Sequence, residues 1–344
     1  MLTCRRLNAD VTLKTSVDAS GKLTAKSIRV VMNGGAYADT GPAIAIKSAI
    51  RAIGPYNFPN LKLEALAVYT NTVPGAAFRS IGGPQAVWAT ESQMDMIAAA
   101  LGRDPVEFRL ANMAEKGQTI KPDLRPLDVD LKGALRQAIQ GMDELTRSKS
   151  ASPRLARGVA VAATDPGILP IGGAIVRLKA DGSVHIAANT VEIGQGNRGV
   201  LRVIASKQLR QSLSKIAVAE PDTSIAPYDW GTGASRSTVI IGLAVQYACD
   251  DIVRQVAETA AFVLGGVAAD YTLAEGLMAG NQHEISLREL FRRFQGIDSG
   301  EFIGIGRVSP SSKDGGFGRS PLFWETAASV CEIVLDRETV SIRL

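Results

Sequence analysis

The chain has 344 residues, 46% apolar and 21% charged, enough to bury a sizeable core and to form two or three domains. Lys and Arg total 38 against 34 Asp and Glu, and the basic residues are dispersed, which argues against a nucleic-acid or anionic-membrane partner. Three widely separated cysteines with no C-x-x-C, and only two histidines (His185 and His283), argue against iron–sulfur and structural zinc sites in this chain and against most histidine-based schemes. The thiols fit a reduced, cytoplasmic setting.

In chain order, Thr12–Val17 and Leu23–Met32 alternate as a hairpin across the turn residues 18–22. Asn33-Gly-Gly35 ends that pattern, and a mostly apolar segment runs to Arg51. A strand is expected at Leu61–Thr70, then a loop at 71–85, then a helix over Gln85–Leu101 with apolar residues at helical spacing. Asp104-Pro105 predicts the cap and first position of a short helix reaching Asn112. Between 113 and 152 the composition turns polar, with one more helix at Leu131–Met142. The spacing therefore divides the chain into 1–125, a polar connection at 126–152, and 153–344. Strands follow at Gly158–Ala163, Ala174–Lys179 and Val184–Thr190, then a helix over Gly199–Leu213, a strand at Ile216–Ala219 and a long apolar helix from Thr238 to Leu264. A short helix at Ile285–Phe294, a Gly/Ser loop at Ser309–Ser320 and strands at Ala327–Leu335 and Val340–Leu344 complete the reading. Ending on an apolar strand, the chain is expected to be cut there or completed by another chain. No stretch reaches the length of a membrane span, and the N-terminus lacks a signal-type apolar core.

Three loops, each feeding a helix, stand out. Thr190-Val-Glu-Ile-Gly-Gln-Gly-Asn197 places glycines on both sides of Gln195, where backbone N–H groups at a helix start can meet an anion. Residues 222–238, ending in Gly231-Thr-Gly-Ala-Ser-Arg-Ser-Thr238, stack small residues and hydroxyls, and Gly75-Ala-Ala-Phe-Arg-Ser-Ile-Gly-Gly-Pro-Gln85 is the third. Each alone reads as a glycine turn or helix cap. Together they favour one polyanionic cofactor held among helix starts.

Those loops, with Gly35-Ala-Tyr-Ala-Asp39, Glu91-Ser-Gln-Met-Asp95 and Asp104-Pro-Val-Glu-Phe-Arg109, resemble the molybdopterin-binding large subunit of the xanthine dehydrogenase and aldehyde oxidase family, from about residue 5 onward. The resemblance implies a mixed α/β (α+β) fold of layered sheets with packed helices, here the incomplete middle of a subunit. It implies a molybdenum–molybdopterin cofactor, with the cytosine dinucleotide form as a candidate, and hydroxylation of an aldehyde or N-heteroaromatic ring using oxygen from water. Electrons would pass to iron–sulfur and FAD groups on partner subunits or domains. Gly194, Gln195 and Gly196 would contact the pterin. Ala234, Ser235 and Ser237 would meet its phosphate or pyran side, and Phe78 and Arg79 would place backbone donors near the metal's oxygen ligand. Arg51 and Ile81 fall on the substrate side, with a surface or ion-paired arginine as the plain alternative for Arg51. No side chain is implied as a direct metal ligand.

Departures from the pattern narrow this. Ser80-Ile81 replaces the family's Gly-Phe, which speaks against a purine clamp, and no cysteine in this loop supports the copper-bridged branch. The general-base glutamate of a Gly-x-Gly-Glu-Pro motif is missing, so no catalytic residue is assigned in this chain. The expected partners are the remaining segments of the large subunit, an iron–sulfur subunit, a FAD subunit and a small-molecule substrate. The alternative reading is a catalytically silent remnant or structural subunit that keeps the fold. Asp39, Glu91 and Asp95 read as solvated or capping groups; Trp88, Phe108 and Trp324 read as packing residues.

Overall fold

A computed structural model describes residues 5–120, 124–146, 155–166, 171–280, 282–309, 323–335, 338–339 and 342–343. The chain divides into two compact units, Met1–Pro166 with Phe317–Leu344, and Gly167–Gly316. Among the described residues no helix is long and apolar enough to cross a membrane.

In the first unit β1 (Asn8–Val17) and β2 (Leu23–Gly35) form the expected antiparallel hairpin. Asp18 closes its turn by accepting from the Ser20 hydroxyl and the Lys22 N–H, while Gly21 takes φ +81, a conformation unfavourable to other residues. β2 is the middle strand, and Ile28, Val30 and Met32 on it are buried. The apolar segment after Asp39 is a helix, α1 (Gly41–Arg51), and β3 (Asn60–Tyr69) then lies parallel to β2. Parallel pairing needs a crossover, and α1 is that crossover.

α2 (Gly83–Ala100) and α3 (Pro105–Asn112) match the sequence reading, with the Asp104 carboxylate accepting from the Val106 and Glu107 N–H groups. Ile44, Ala49, Tyr56, Met94 and Phe108 belong to the core they share with the sheet. Buried within it, Arg109 donates to Glu91 at 2.9 Å and to Asp95 at 2.7 Å. Glu91 also accepts from the Tyr56 hydroxyl at 2.8 Å and the Val161 N–H at 3.0 Å. Glu91 is thus no solvated group: it is 5% exposed, and its charge is tolerated because it is paired and fully hydrogen-bonded. Phe108 and Trp324 pack as expected, but Trp88 is 75% exposed. It lines an open pocket with Ala9 and Val11 of β1.

α4 (Leu131–Thr146) runs longer than expected and also belongs to this unit, followed by β4 (Leu155–Thr164).

In the second unit β5 (Gly172–Lys179) and β6 (Val184–Ala187) form a hairpin, and α5 (Asn197–Leu209) crosses over to β7 (Ile216–Val218), which is parallel to β6. α5 stops short of Leu213 because Arg210 turns left-handed, with φ 49. A π-helical turn at Ser237–Ile241 opens α6 (Gly242–Leu264), whose Ala244, Val245, Ala248 and Ile252 are fully buried. A meander of β8 (Tyr271–Ala274), β9 (Leu277–Gly280) and β10 (His283–Ser286) leads into α7 (Leu287–Gln295) and β11 (Glu301–Val308). β11 pairs with β5 and completes a sheet ordered β11-β5-β6-β7. The sequence reading contained neither the meander nor β11. α6 rests on β11 at Gly304 and Gly306, where an added methyl group would overlap the carbonyl oxygens of Ala248 and Ala244.

The expected loop at Ser309–Ser320 lies outside the described residues from 310 onward. β12 (Glu325–Leu335) then returns to the first unit and pairs antiparallel with β4 along its whole length, and β13 (Ile342–Arg343) pairs with the end of β12. The Trp324 indole donates to the Arg125 carbonyl at 3.1 Å beside this seam. The mixed α/β architecture of several small sheets with packed helices is the fold class expected from the sequence.

Candidate functional site

Two of the three loops lie in the second unit. At Thr190–Asn197, Gly194 and Gly196 have φ values of 97 and 77, and a Cβ at either would meet nothing within 4 Å. What requires glycine here is backbone conformation, and both residues face open space. The exposed Gln195 side chain folds back on its own loop, accepting from the Ile193 N–H at 2.6 Å and donating to the Val191 carbonyl at 3.0 Å. Glu192, which sequence reasoning passed over, accepts from the N–H groups of Gly196 and Gly194, each at 2.9 Å. Those bonds, the one from Gly196 first, hold its carboxyl below the usual glutamate range.

The loop before α6 is pinned from beneath. Arg236 and Asp229 form a fully buried ion pair, and Arg236 also donates to the carbonyls of Gly231 at 3.1 Å and Ile171 at 2.6 Å. Asp229 in turn accepts from the Gly231 N–H at 2.7 Å. Above this pin Ala234 and Ser235 both adopt φ 54, a left-handed pair that non-glycine residues hold only when the surroundings enforce it. Such a turn gathers successive N–H groups on one side.

Hydroxyl groups lace the two loops together. Thr190 Oγ1 lies 3.0 Å from Ser237 Oγ and 3.3 Å from Thr232 Oγ1, the Thr232 hydroxyl donates to the Val191 carbonyl at 2.6 Å, and Asn197 Nδ2 donates to Thr190 Oγ1 at 3.0 Å. Gln195 and its glycines therefore stand on the same surface as Ala234, Ser235 and Ser237. Asn197 is 3% exposed, and its Oδ1 has no partner among the described residues. The Thr-rich lacing joins residues some forty positions apart, and nothing in a local pattern announces it.

The third loop belongs to the first unit. Phe78 and Arg79 are exposed, Ser80 and Ile81 have positive φ values of 63 and 22, and Ile81 is half-buried against the core. The Arg6 guanidinium sits 4.6 Å from the Phe78 ring centroid and donates to the Arg79 carbonyl at 3.0 Å. Arg51 is 4% exposed. Its guanidinium donates to the carbonyls of Ser80 at 2.5 Å and Ile81 at 3.2 Å, and to Asp165 through both carboxylate and carbonyl, at 3.2 and 2.6 Å. Lys47 reaches the other oxygen of the same carboxylate. Arg51 has the geometry of the ion-paired alternative, with its donors engaged inside the unit. Asp165 was not legible as its partner, nor Lys47 as the second cation on that carboxylate.

Residues 1–113 and 135–344 match two family models, each described as a molybdopterin cofactor-binding domain. The chain belongs to the molybdopterin cofactor-binding domain family. Relatives of this member include the xanthine dehydrogenase molybdenum-binding subunit of Escherichia coli O157:H7, 30% identical over 276 residues that cover 76% of this chain and 36% of that protein. The aldehyde oxidoreductase of Megalodesulfovibrio gigas is 28% identical over 262 residues, covering 73% of this chain and 29% of that one. Among solved structures, quinoline 2-oxidoreductase from Pseudomonas putida 86 has a TM-score of 0.77 over 99% of this chain and 46% of that chain; at 18% identity the likeness is one of fold. The chain spans 18% to 36% of the length of the first curated relatives it matches.

The two loops of the second unit fit a pterin cofactor carrying phosphate. Such a group needs small residues opening on free space, clustered N–H and hydroxyl donors, and little competing bulk. Gly194, Gly196 and Gly231 open on free space, Ala234 and Ser235 form the left-handed turn, and the Thr190, Thr232 and Ser237 hydroxyls tie the two loops together. The unpartnered Asn197 Oδ1 adds an acceptor for a ring N–H.

Proposed function

We propose that this chain binds the molybdenum–molybdopterin cofactor, or its cytosine dinucleotide form, as one part of a molybdenum hydroxylase acting on an aldehyde or N-heteroaromatic substrate. In this reading oxygen comes from water, and electrons leave through iron–sulfur and FAD groups on partner subunits or domains. The observation that carries the proposal is the lacing of Thr190, Thr232 and Ser237, which joins the Gln195 and Ser235 loops.

When bound, the cofactor supplies the two-electron oxidation. The protein's own residues bind and orient. Gly194, Gln195 and Gly196 border the pterin; Ala234, Ser235 and Ser237 donate to its phosphate or pyran side; Phe78 and Arg79 offer backbone N–H groups toward the metal's oxygen ligand. Ile81 borders the substrate side, and Arg51 acts there through the loop it holds.

The test is to co-express the chain with the products of its neighbouring genes and to measure molybdenum and pterin in the purified complex. About one molybdenum per chain is expected; molybdenum-free protein made under cofactor-replete conditions would overturn the reading. A second reading is a cofactor-binding or structural subunit without catalysis of its own. A molybdenum-loaded complex that hydroxylates no aldehyde or N-heteroaromatic compound would select it.

A further inference from the structure

The turn at Phe78–Ile81 is gripped through its carbonyl groups. Phe78 O accepts from the Ile81 N–H at 2.8 Å, Arg79 O from Arg6, Ser80 O from the Gly83 N–H at 2.7 Å and from Arg51, and Ile81 O from Arg51. Four successive acceptors are thereby taken. By contrast, the N–H groups of Phe78, Arg79 and Ser80 have no partner among the described residues, although the next residues on either side, Ala77 and Ile81, both donate. A turn with every carbonyl engaged and three consecutive N–H groups free is a preformed set of donors.

This shape is not one the residues choose for themselves. Ser80 and Ile81 both have positive φ, and Ile81 is β-branched, for which that region is strongly disfavoured. A restraint must therefore act from outside the turn, and Arg51 is placed to apply it. A lone guanidinium on a three-carbon tether could swing away, but Asp165 receives Arg51 at both its carboxylate and its carbonyl, and Lys47 holds the second carboxylate oxygen. All three side chains are at most 4% exposed, so solvent does not compete for them.

We propose that Asp165 is a positioning residue. By fixing Arg51 it holds the carbonyls of Ser80 and Ile81 inward and leaves the N–H groups of Phe78, Arg79 and Ser80 turned outward as donors to an oxygen atom of the bound group. Arg6, stacked on Phe78, grips the same turn from its outer side. The inference rests on the cofactor reading for what the donors meet, but the restraint itself is a property of the chain alone.

Limited trypsin digestion of the native full-length chain tests the restraint. The Arg79–Ser80 bond lies in the held turn, and Lys116–Gly117 lies in an exposed stretch of the same unit away from it. The ratio of the two cleavage rates separates loosening of the turn from a general loss of stability, which would accelerate both. Asp165→Asn is expected to raise the Arg79-to-Lys116 ratio about tenfold. An unchanged ratio in folded Asp165→Asn protein would overturn the proposal. Should that variant not accumulate in folded form, Arg6→Gln removes only the outer grip and is expected to raise the same ratio about threefold; no change there would be equally decisive against a held turn. In the co-expressed complex Asp165→Asn should also lower molybdenum per chain, and full occupancy with a loosened turn would sever the restraint from the cofactor. Molybdenum-free wild-type complex would count against the cofactor reading alone, since the cleavage ratio still decides whether Asp165 holds the turn.

Discussion

Lys26 is 2% exposed, and its ammonium donates to the Ala52 carbonyl at 2.6 Å and the Thr90 hydroxyl at 3.2 Å, with the Phe58 ring 5.3 Å away. Burial pulls its pKa down from 10.5 to about 7, against the upward pull of Glu91. Between those two values the unfolded chain holds a proton that the folded chain has released, so stability rises with pH across that window and levels off below it. The difference amounts to ~5 kcal/mol in the limit. Urea unfolding measured from pH 6.5 to 9.5 should show this rise, and Lys26→Met should flatten it; a rise that persists in the variant would place its source elsewhere. In the Gln195 loop, Gln195→Ala removes the contacts to Ile193 and Val191, and Gly196→Val forces a branched residue to φ 77. Both should lower molybdenum content in the co-expressed complex, and unchanged content in both would remove this loop from the cofactor surface. The glycines and Gln195 were visible in the sequence because loop chemistry is local. Asp165 was not, because it meets Arg51 across more than a hundred residues and looks like any strand-end aspartate.

The same contrast between local and distant causes separates the elements that were legible from those that were not. The β1–β2 hairpin has strong turn chemistry, and α3 has both an aspartate cap and a proline at its first position, so each appears in the sequence nearly as it stands in the fold. α1 was read only as an apolar segment because its buried face carries Lys47, Ser48 and Arg51, polar residues that blur a helical stripe. β11 inverts the usual rule. Gly304 and Gly306 face inward against α6, while Ile303 and Ile305 point to solvent. The helix lies so close that no side chain fits beneath it, and alternation of hydropathy then says nothing about burial. Gly306→Ala should therefore cost ~3 kcal/mol, since the new methyl group meets a helix carbonyl rather than a flexible side chain. Chemical denaturation would show it, and a loss within ~0.5 kcal/mol would mean that α6 shifts at no cost.

The two compact units are not two consecutive stretches of chain. β12 belongs to the first unit although the whole second unit intervenes, and its register with β4 runs without a break from Glu325–Thr164 to Val334–Leu155. Removing residues 323–344 should strip protection from the β4 amides by about a hundredfold in hydrogen exchange while leaving those of β5 unchanged. Equal loss in both strands would mean that the units unfold as one. The sequence marked β12 as a strand but not its partner, because pairing across so long a separation leaves no periodic trace.

Time enters through that same seam. On a ribosome β4 emerges about 170 residues before the end of β12, an interval of ~9–34 s at ordinary elongation rates, during which its edge is unpaired. The second unit can fold in that interval, but the first has to wait for it to finish. A nascent-chain chaperone that shields an open strand edge is therefore most valuable to this protein between the emergence of β4 and that of β12.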